Sequence, residues 1–346
     1  MKPSVRLSIV ALLAASHGVN DFLAGWLLGG TMPAATAWDR LPWLVIYAAL
    51  AFAGQLPAAW LMDRSPRRDG WLAGSMALMV AAVATSAISP GVAVIFSGLA
   101  SAFCHVAGGA IALQLPRGER ALGWFTAPGV IGLTLGGWLG HSTGDLAPWS
   151  VILPLVLLLG WVGLRSQWPR LEVAESPVPT PAIDAHDGLM LLILLALTLR
   201  SALWDLVQML PLSDPYTLFA IAASAAGGKV LGGWMIARWP SVRHVSLTLL
   251  IACFLLEFAR GHLAALCAGV ALLQSSIPAS IVLLHRSFGT TATRAAAYGL
   301  GLTVAAGGLI IPLQLDFTSL LMAVAVAATV LLLRPDRRVG VEQPAG

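Results

Sequence analysis

Between two long apolar runs, residues 59–68 read Ala-Trp-Leu-Met-Asp-Arg-Ser-Pro-Arg-Arg. The runs cover residues 41–62 and 70–88, close to the roughly 20 residues that a membrane-spanning helix needs. A short arginine-rich loop between two such runs is typical of a cytoplasmic hairpin in a polytopic membrane protein. Residues 233–240, Gly-Trp-Met-Ile-Ala-Arg-Trp-Pro, repeat much of this pattern, which indicates a duplicated unit.

The composition excludes an ordinary soluble domain. The chain has 346 residues, of which 58% are hydrophobic and 10% charged, and its mean hydropathy is +0.83. Soluble chains are about 45–50% apolar and about 25% charged. The net charge of +4 comes from arginines scattered through short loops, so it predicts no nucleic-acid partner.

Apolar runs separated by arginine, proline and glycine clusters predict twelve membrane-spanning helices. The fold class is therefore all-α, a polytopic membrane protein in two pseudo-symmetric six-helix halves. The spans are expected near residues 6–30, 41–62, 70–88, 91–114, 121–140, 148–165, 188–210, 217–237, 245–262, 263–285, 295–314 and 316–333.

A single long hydrophilic connection divides the chain. Residues 166–187 contain four prolines among acidic residues, which predicts a cytoplasmic linker. The halves are then residues 1–165 and 188–334, with a cytoplasmic tail over residues 335–346. Moving residues 97–137 forward by 171 positions aligns glycines of the two halves and supports the duplication.

The basic residues predict the orientation. With the N-terminus inside, all but four of the 20 basic residues fall on the cytoplasmic side. Arg40 and Arg260 fall outside, while Arg200 and Lys229 lie within spans. This positive-inside bias predicts a bacterial inner-membrane protein with both termini in the cytoplasm.

The six-plus-six arrangement resembles the major facilitator superfamily. Residues 59–68 are similar to the family's loop motif Gly-x-x-x-Asp-Arg-x-Gly-Arg-Arg, although Ala59 and Pro66 stand where glycines are usual. The resemblance implies a gating loop whose charged groups hold one end of the bundle closed by charge-assisted bonds. The gating residues would be Asp63, Arg64, Arg67 and Arg68, and the second-half copy has Ala237 in place of the aspartate.

Three short stretches resemble the fosmidomycin-resistance branch of efflux proteins within this superfamily. They are Ser16–Asp21, Ser101–His105 and Leu199–Ser201. The fifth span departs from the Gly-Pro-x-x-Gly-Gly signature of antiporters, because Pro128-Gly129 comes first and further glycines follow. Those glycines, four apart, are more simply explained by close helix packing.

Polar residues in the first span predict a proton-coupling site. His17 and Asp21 are four residues apart, so they lie on one helical face, with Asn20 beside them. A carboxylate near the middle of the bilayer is costly and usually functional, and Asp21 could exchange a proton during transport while His17 tunes it. The alternative is a structural polar cluster that holds the first span against a neighbour.

The second half contributes further charged residues. Asp205 aligns with Asp21 in the repeat, which makes it a second candidate for proton coupling. The predicted substrate contacts of this half include two cations, Arg200 and Lys229, that favour an anionic or zwitterionic substrate. The alternative is that Asp205 and Asp21 neutralise these cations. These contacts are Arg200, Trp204, Gln208, Lys229 and Gln274. In the first half, His105 joins Asn20 as a predicted contact, the alternative being a packing role.

These features predict a secondary active transporter, most simply a proton-coupled exporter of a small organic compound. Its partners would be the substrate, protons and the lipid bilayer, and it would act as a monomer. No nucleotide-binding loop, zinc motif or nucleophile elbow occurs in the sequence, so no enzyme activity, cofactor or metal is predicted. The alternatives are proton-coupled uptake of a metabolite or metal chelate, and a scaffold that does not transport.

Overall fold

The structure is a computed structural model that describes residues 3–31, 37–65, 68–143, 149–164, 185–208, 214–239, 242–258 and 261–334. Over these residues the chain is helical and contains no strand. Seven helical segments are long and apolar enough to cross a membrane, and three further apolar helices are shorter. The prediction of an all-α polytopic fold is therefore confirmed.

Within the described residues, seven α-helices form the first part of the chain. Helices α1 and α2 are extended by π-helical turns over Leu27–Thr31 and Ala49–Ala53, so α2 and α3 together make one span. The helices are α1 (Pro3–Trp26), α2 (Ala37–Ala48), α3 (Gln55–Asp63), α4 (Arg68–Thr85), α5 (Pro90–Gln114), α6 (Gly118–Thr143) and α7 (Trp149–Leu164).

Seven further α-helices form the second part of the described chain. A π-helical turn over Ala297–Leu302 joins α12 to α13, so these two also make one span. The helices are α8 (Ala185–Gln208), α9 (Pro215–Arg238), α10 (Val242–Phe258), α11 (Leu263–Ser287), α12 (Ala292–Ala296), α13 (Thr303–Gly308) and α14 (Phe317–Leu333). Each predicted span thus corresponds to a helical stretch. The division into two halves with a linker stays a prediction, because residues 165–184 and 335–346 lie outside the described residues.

Glycines allow α1 and α6 to pack backbone against backbone. A Cβ atom on Gly132, Gly136 or Gly140 would collide with main-chain atoms of α1. In the second half, Gly228 and Gly232 of α9 lie equally close to the main chain of α11. Small residues four apart are what close packing of membrane helices requires, so the packing interpretation of these glycines agrees with the structure.

The N-terminus of α14 is capped by Asp316, whose carboxylate accepts a bond from the Ser319 N–H at 2.8 Å. This bond holds the pKa of Asp316 below its usual 3.8. A lowered pKa in the folded state stabilises the protein above pH 3.8, and the contribution is lost as the pH falls through the lower folded value. We expect Asp316→Asn to lower the melting temperature slightly at pH 7 and by less at about pH 3, where wild type and variant are compared by differential scanning fluorimetry; an equal difference at both values would contradict this.

Candidate functional site

Three side chains that can bind a cation meet between α1 and α5. His17 and Asp21 lie one turn apart on α1, and His105 lies on α5. The Nε2 atoms of the two histidines are 2.9 Å apart. Asp21 Oδ2 is 3.1 Å from His17 Nε2, and Asp21 Oδ1 is 3.9 Å from His105 Nε2. All three side chains are buried, and we call this group the His–His–Asp cluster.

The surrounding backbone fixes both imidazole rings. His17 Nδ1 lies 2.7 Å from the Phe125 carbonyl oxygen, and His105 Nδ1 lies 2.7 Å from the Ser101 carbonyl oxygen. Because a carbonyl oxygen can only accept, each Nδ1 must donate its hydrogen. In the neutral rings both Nε2 atoms therefore carry lone pairs, and these point toward each other and toward Asp21.

The remaining neighbours of the cluster orient the carboxylate and limit the space. Asn20, which is fully buried, donates to Asp21 Oδ1 at 3.0 Å. Gly129 of α6 faces the cluster so closely that a Cβ atom there would overlap the His17 ring and the Asp21 carboxylate. Sequence reasoning missed the roles of Gly129 and of the Phe125 carbonyl, because both depend on the approach of α6 to α1.

A cavity of about 360 Å³ opens onto the cluster. Asp21 and His105 form its polar wall, and Tyr47, whose hydroxyl donates to Ser101 at 3.4 Å, lies beside them. The other lining residues are apolar or glycine, namely Gly25, Leu28, Gly29, Leu44, Phe52, Leu133 and Gly137. The cluster is therefore accessible to a small ligand.

Arg200 on α8 is almost completely buried, with 2% of its surface exposed. Its Nε donates to the Leu273 carbonyl oxygen at 3.3 Å, whereas its Nη2 has no hydrogen-bond partner among the described residues. Within the described part of the chain no carboxylate lies at ion-pair distance from Arg200. Asp205 interacts with it electrostatically at longer range, so direct neutralisation by an ion pair is not seen.

Lys229 on α9 reaches toward the first half of the molecule. Its Nζ donates to the Thr126 carbonyl oxygen of α6 at 3.2 Å. It interacts electrostatically with Arg200, a like charge, and with Asp21, an opposite charge. The two cations and the cluster therefore share one electrostatic environment.

The other predicted substrate contacts lie on α8 and α11. Gln274 is buried next to Leu273, the residue that accepts the Arg200 bond. Trp204 is partly buried against the core, and Gln208 is exposed and donates to Asp205 at 3.5 Å. None of these lines the cavity at the cluster.

Asp63, at the end of α3, connects this helix to α12. Its carboxylate accepts from Arg294 Nε at 2.8 Å, from Thr291 at 3.1 Å and from Thr293. The three partners lie at the N-terminus of α12, where the helix dipole also favours a negative charge. A second bond between the halves joins Arg286 to Glu119 at 2.7 Å.

The arginines of the predicted gating loop behave differently from Asp63. The Arg64 guanidinium stacks on the Trp60 ring at 3.2 Å, and the repeat-related Arg238 stacks on Trp234 at 3.6 Å. Arg64 therefore makes a local contact. Arg67 lies outside the described residues, as does the side chain of Arg68.

No protein-family model and no curated protein sequence matches the chain. Solved structures do. The major facilitator superfamily transporter FucP in its outward conformation aligns with a TM-score of 0.66 and 16% identity, covering 95% of this chain and 96% of that one. The human organic anion transporter MFSD10 aligns with a TM-score of 0.62 and 17% identity, covering 96% and 99%. The chain thus has the fold of the major facilitator superfamily transporters.

Proposed function

We propose that the protein is a secondary active transporter of a small organic anion that works by alternating access and is driven by the proton gradient. The observation that carries the proposal is Arg200, a buried cation with an unpaired Nη2 and no carboxylate at ion-pair distance among the described residues. A permanently charged guanidinium in such a place needs an anionic partner. MFSD10, one of the proteins similar in fold, is an organic anion transporter.

The contacts between the halves support alternating access. Asp63 and Glu119 each bond to an arginine of the other half. By the predicted orientation these pairs are cytoplasmic, so the state described here is closed toward the cytoplasm. Rocking of the halves would break both pairs and open that end.

Proton coupling is part of the proposal. The predicted proton-binding groups stay Asp21 with His17, and Asp205, because a carboxylate within the bilayer is costly and is retained for function. Asp205 is partly buried and has Gln208 as its hydrogen-bond partner. The inner membrane is the predicted location.

Two candidate functions differ in the direction of transport, namely efflux and uptake. Efflux by exchange against protons is the direction that the fosmidomycin-resistance resemblance implies. Uptake by symport is favoured by the charges, since a proton bound near Arg200 and Lys229 adds positive charge and attracts an anion. Because the proton and the anion attract each other, binding of either one raises the affinity of the protein for the other. A second alignment is to the E. coli fucose:proton symporter FucP, with a TM-score of 0.64 and 14% identity over 95% of this chain and 96% of that one.

The Arg200→Gln variant is expected to lose anion binding. The purified protein is heated in detergent with citrate, gluconate or phosphonoacetate, and with betaine and tetraethylammonium for comparison. A ligand that binds only the folded state raises the melting temperature. We expect an anion to raise it in the wild type and in the control Arg238→Gln, and not in Arg200→Gln. A shift by the cation alone, or one retained in Arg200→Gln, would overturn the anion assignment.

Proteoliposomes containing the pH dye pyranine then decide the direction. Adding the binding anion outside should acidify the lumen if the anion enters with protons, and should make it alkaline if the anion is exchanged for protons. Asp205→Asn should abolish the pH change if Asp205 carries the proton. No pH change with any bound anion would refute proton coupling.

A further inference from the structure

We infer that the His–His–Asp cluster is a binding site for a divalent transition-metal ion such as Zn²⁺ or Co²⁺. The ligand atoms are Nε2 of His17, Nε2 of His105 and a carboxylate oxygen of Asp21. These atoms all lie within 4.8 Å of one another. The residues belong to two helices, and Asp21 and His105 line the cavity.

The hydrogen bonds of the two histidine rings leave three acceptors facing one another. Since each Nδ1 donates to a carbonyl oxygen, the two Nε2 atoms and the Asp21 carboxylate present lone pairs to one another. Three acceptors at such distances repel each other unless a proton or a metal ion lies among them. A metal ion satisfies all three at once.

The distances between the ligand atoms are also near those of a metal site. At a metal–nitrogen distance of about 2.0–2.1 Å, tetrahedral ligands are about 3.3 Å apart. The two Nε2 atoms are 2.9 Å apart, and the distances from the carboxylate are 3.1 Å, from Oδ2 to His17 Nε2, and 3.9 Å, from Oδ1 to His105 Nε2. The separation of the nitrogens and the distance from Oδ2 to His17 are close to the value that a four-coordinate site needs.

Neighbouring groups hold all three ligand side chains in place. Metal-binding histidines usually donate their other ring N–H to a carbonyl or carboxylate, which fixes the ring and its tautomer. Phe125 and Ser101 provide these carbonyls, and Asn20 holds the carboxylate. Packing alone does not require that all three side chains be fixed with their lone pairs converging.

The ligand set also indicates the class of ion. Two imidazoles and one carboxylate suit zinc and other first-row transition metals, whereas Mg²⁺ and Ca²⁺ prefer oxygen ligands. Three protein ligands leave a coordination position open. That position faces the cavity, where a donor atom of a bound organic anion completes the coordination.

A consequence for transport rests on the proposed function. If the anion enters the cavity and binds the ion, the cargo is a metal complex of a small organic anion. One set of atoms cannot hold a metal ion and a coupling proton together, so proton coupling then falls on Asp205. Metal binding by the purified protein does not depend on transport, so an experiment can refute the metal site without refuting the proposed function, and the reverse.

The test is Co²⁺ titration of the purified, metal-stripped protein in detergent, followed by visible absorption and by calorimetry. We expect one Co²⁺ per chain, with absorption bands of a nitrogen- and oxygen-ligated site. His17→Gln, His105→Gln and Asp21→Asn should each lower the affinity on the order of 100-fold or more. The control His141→Gln changes a histidine at the exposed end of α6 and should bind as the wild type does.

Size-exclusion chromatography and circular dichroism identify variants that keep their fold, and only these are compared. A folded wild type that binds no Co²⁺ would overturn the inference and leave the cluster as a proton-binding or structural group. Equal weakening in His141→Gln would also overturn it, because the binding would then be adventitious. Zn²⁺ should displace Co²⁺ with one-to-one stoichiometry, whereas Mg²⁺ should not.

Discussion

The Asp63→Asn variant is expected to populate a state in which the Asp63 end of the bundle is open. Asparagine keeps one acceptor oxygen but removes the charge that pairs with Arg294 and faces the α12 N-terminus. A hydrogen bond to a charged group contributes roughly 1.5–3 kcal/mol. Since 47% of the Arg294 side chain is exposed, solvent reduces this value. We therefore expect the variant to lose about 1.4 kcal/mol of the stabilisation of the closed state, which changes the ratio of closed to open molecules about tenfold.

Double electron–electron resonance measures this change directly as a distance between two spin labels. Spin labels are attached to cysteines introduced at Gly70 on α4 and Leu333 on α14, two exposed positions in different halves, in a chain lacking the native cysteines. We expect Asp63→Asn to broaden the distribution toward longer distances. Arg294→Gln should have a similar effect, and the double variant should add little, because both changes remove one interaction.

Asp316→Asn serves as the matched control, since it neutralises a helix-capping aspartate that makes no bond between halves. It should leave the distances unchanged. If Asp63→Asn gives the wild-type distribution, the bonds from Asp63 do not hold this end closed. The Glu119–Arg286 pair would then be the next candidate for that role.

The course of the spans could be predicted because it depends on local composition. A run of about 20 apolar residues can avoid unpaired backbone groups in lipid only by forming a helix, so α5 and α11 lie where the sequence places them. The π-helical turns at Ala49–Ala53 and Ala297–Leu302 were not predicted. They pack against each other across the two halves, with Gln55 donating to the Leu300 carbonyl oxygen at 3.3 Å, and no local pattern signals such a contact.

The candidate site was predictable only in part, for the same reason. The spacing of His17 and Asp21 places them on one face of α1, and the structure brings them to 3.1 Å. That His105 completes the group depends on how α5 crosses α1. The partners of Asp63 lie 228 to 231 residues away, and their threonine and arginine side chains are unremarkable in the sequence. The carboxylate of this contact could therefore be predicted from the sequence, whereas its hydrogen-bond donors could not.

The Gly129→Ala variant is expected to destroy the His–His–Asp cluster while leaving its three ligands in the sequence. A methyl group at this position would occupy the space of the His17 ring and the Asp21 carboxylate. Because α1 and α6 already touch along their backbones, α6 cannot move away without breaking the contacts at Gly132 and Gly136. The His17 ring must therefore turn and lose its bond to the Phe125 carbonyl.

Overpacking of this kind costs about 1–3 kcal/mol, so we expect a lower melting temperature together with a loss of Co²⁺ affinity on the order of 100-fold. Gly74→Ala in α4 is the matched control, because nothing lies within 4 Å of a Cβ atom there, and it should bind Co²⁺ as the wild type does. The melting temperature reports general destabilisation, and the Co²⁺ affinity reports the geometry of the cluster. A variant that melts earlier yet binds Co²⁺ with wild-type affinity would show that the His17 ring and the Asp21 carboxylate do not need the space beside Gly129. A cluster that tolerates the methyl group in this way is not rigidly held, and the geometric argument for a preformed metal site would then fail.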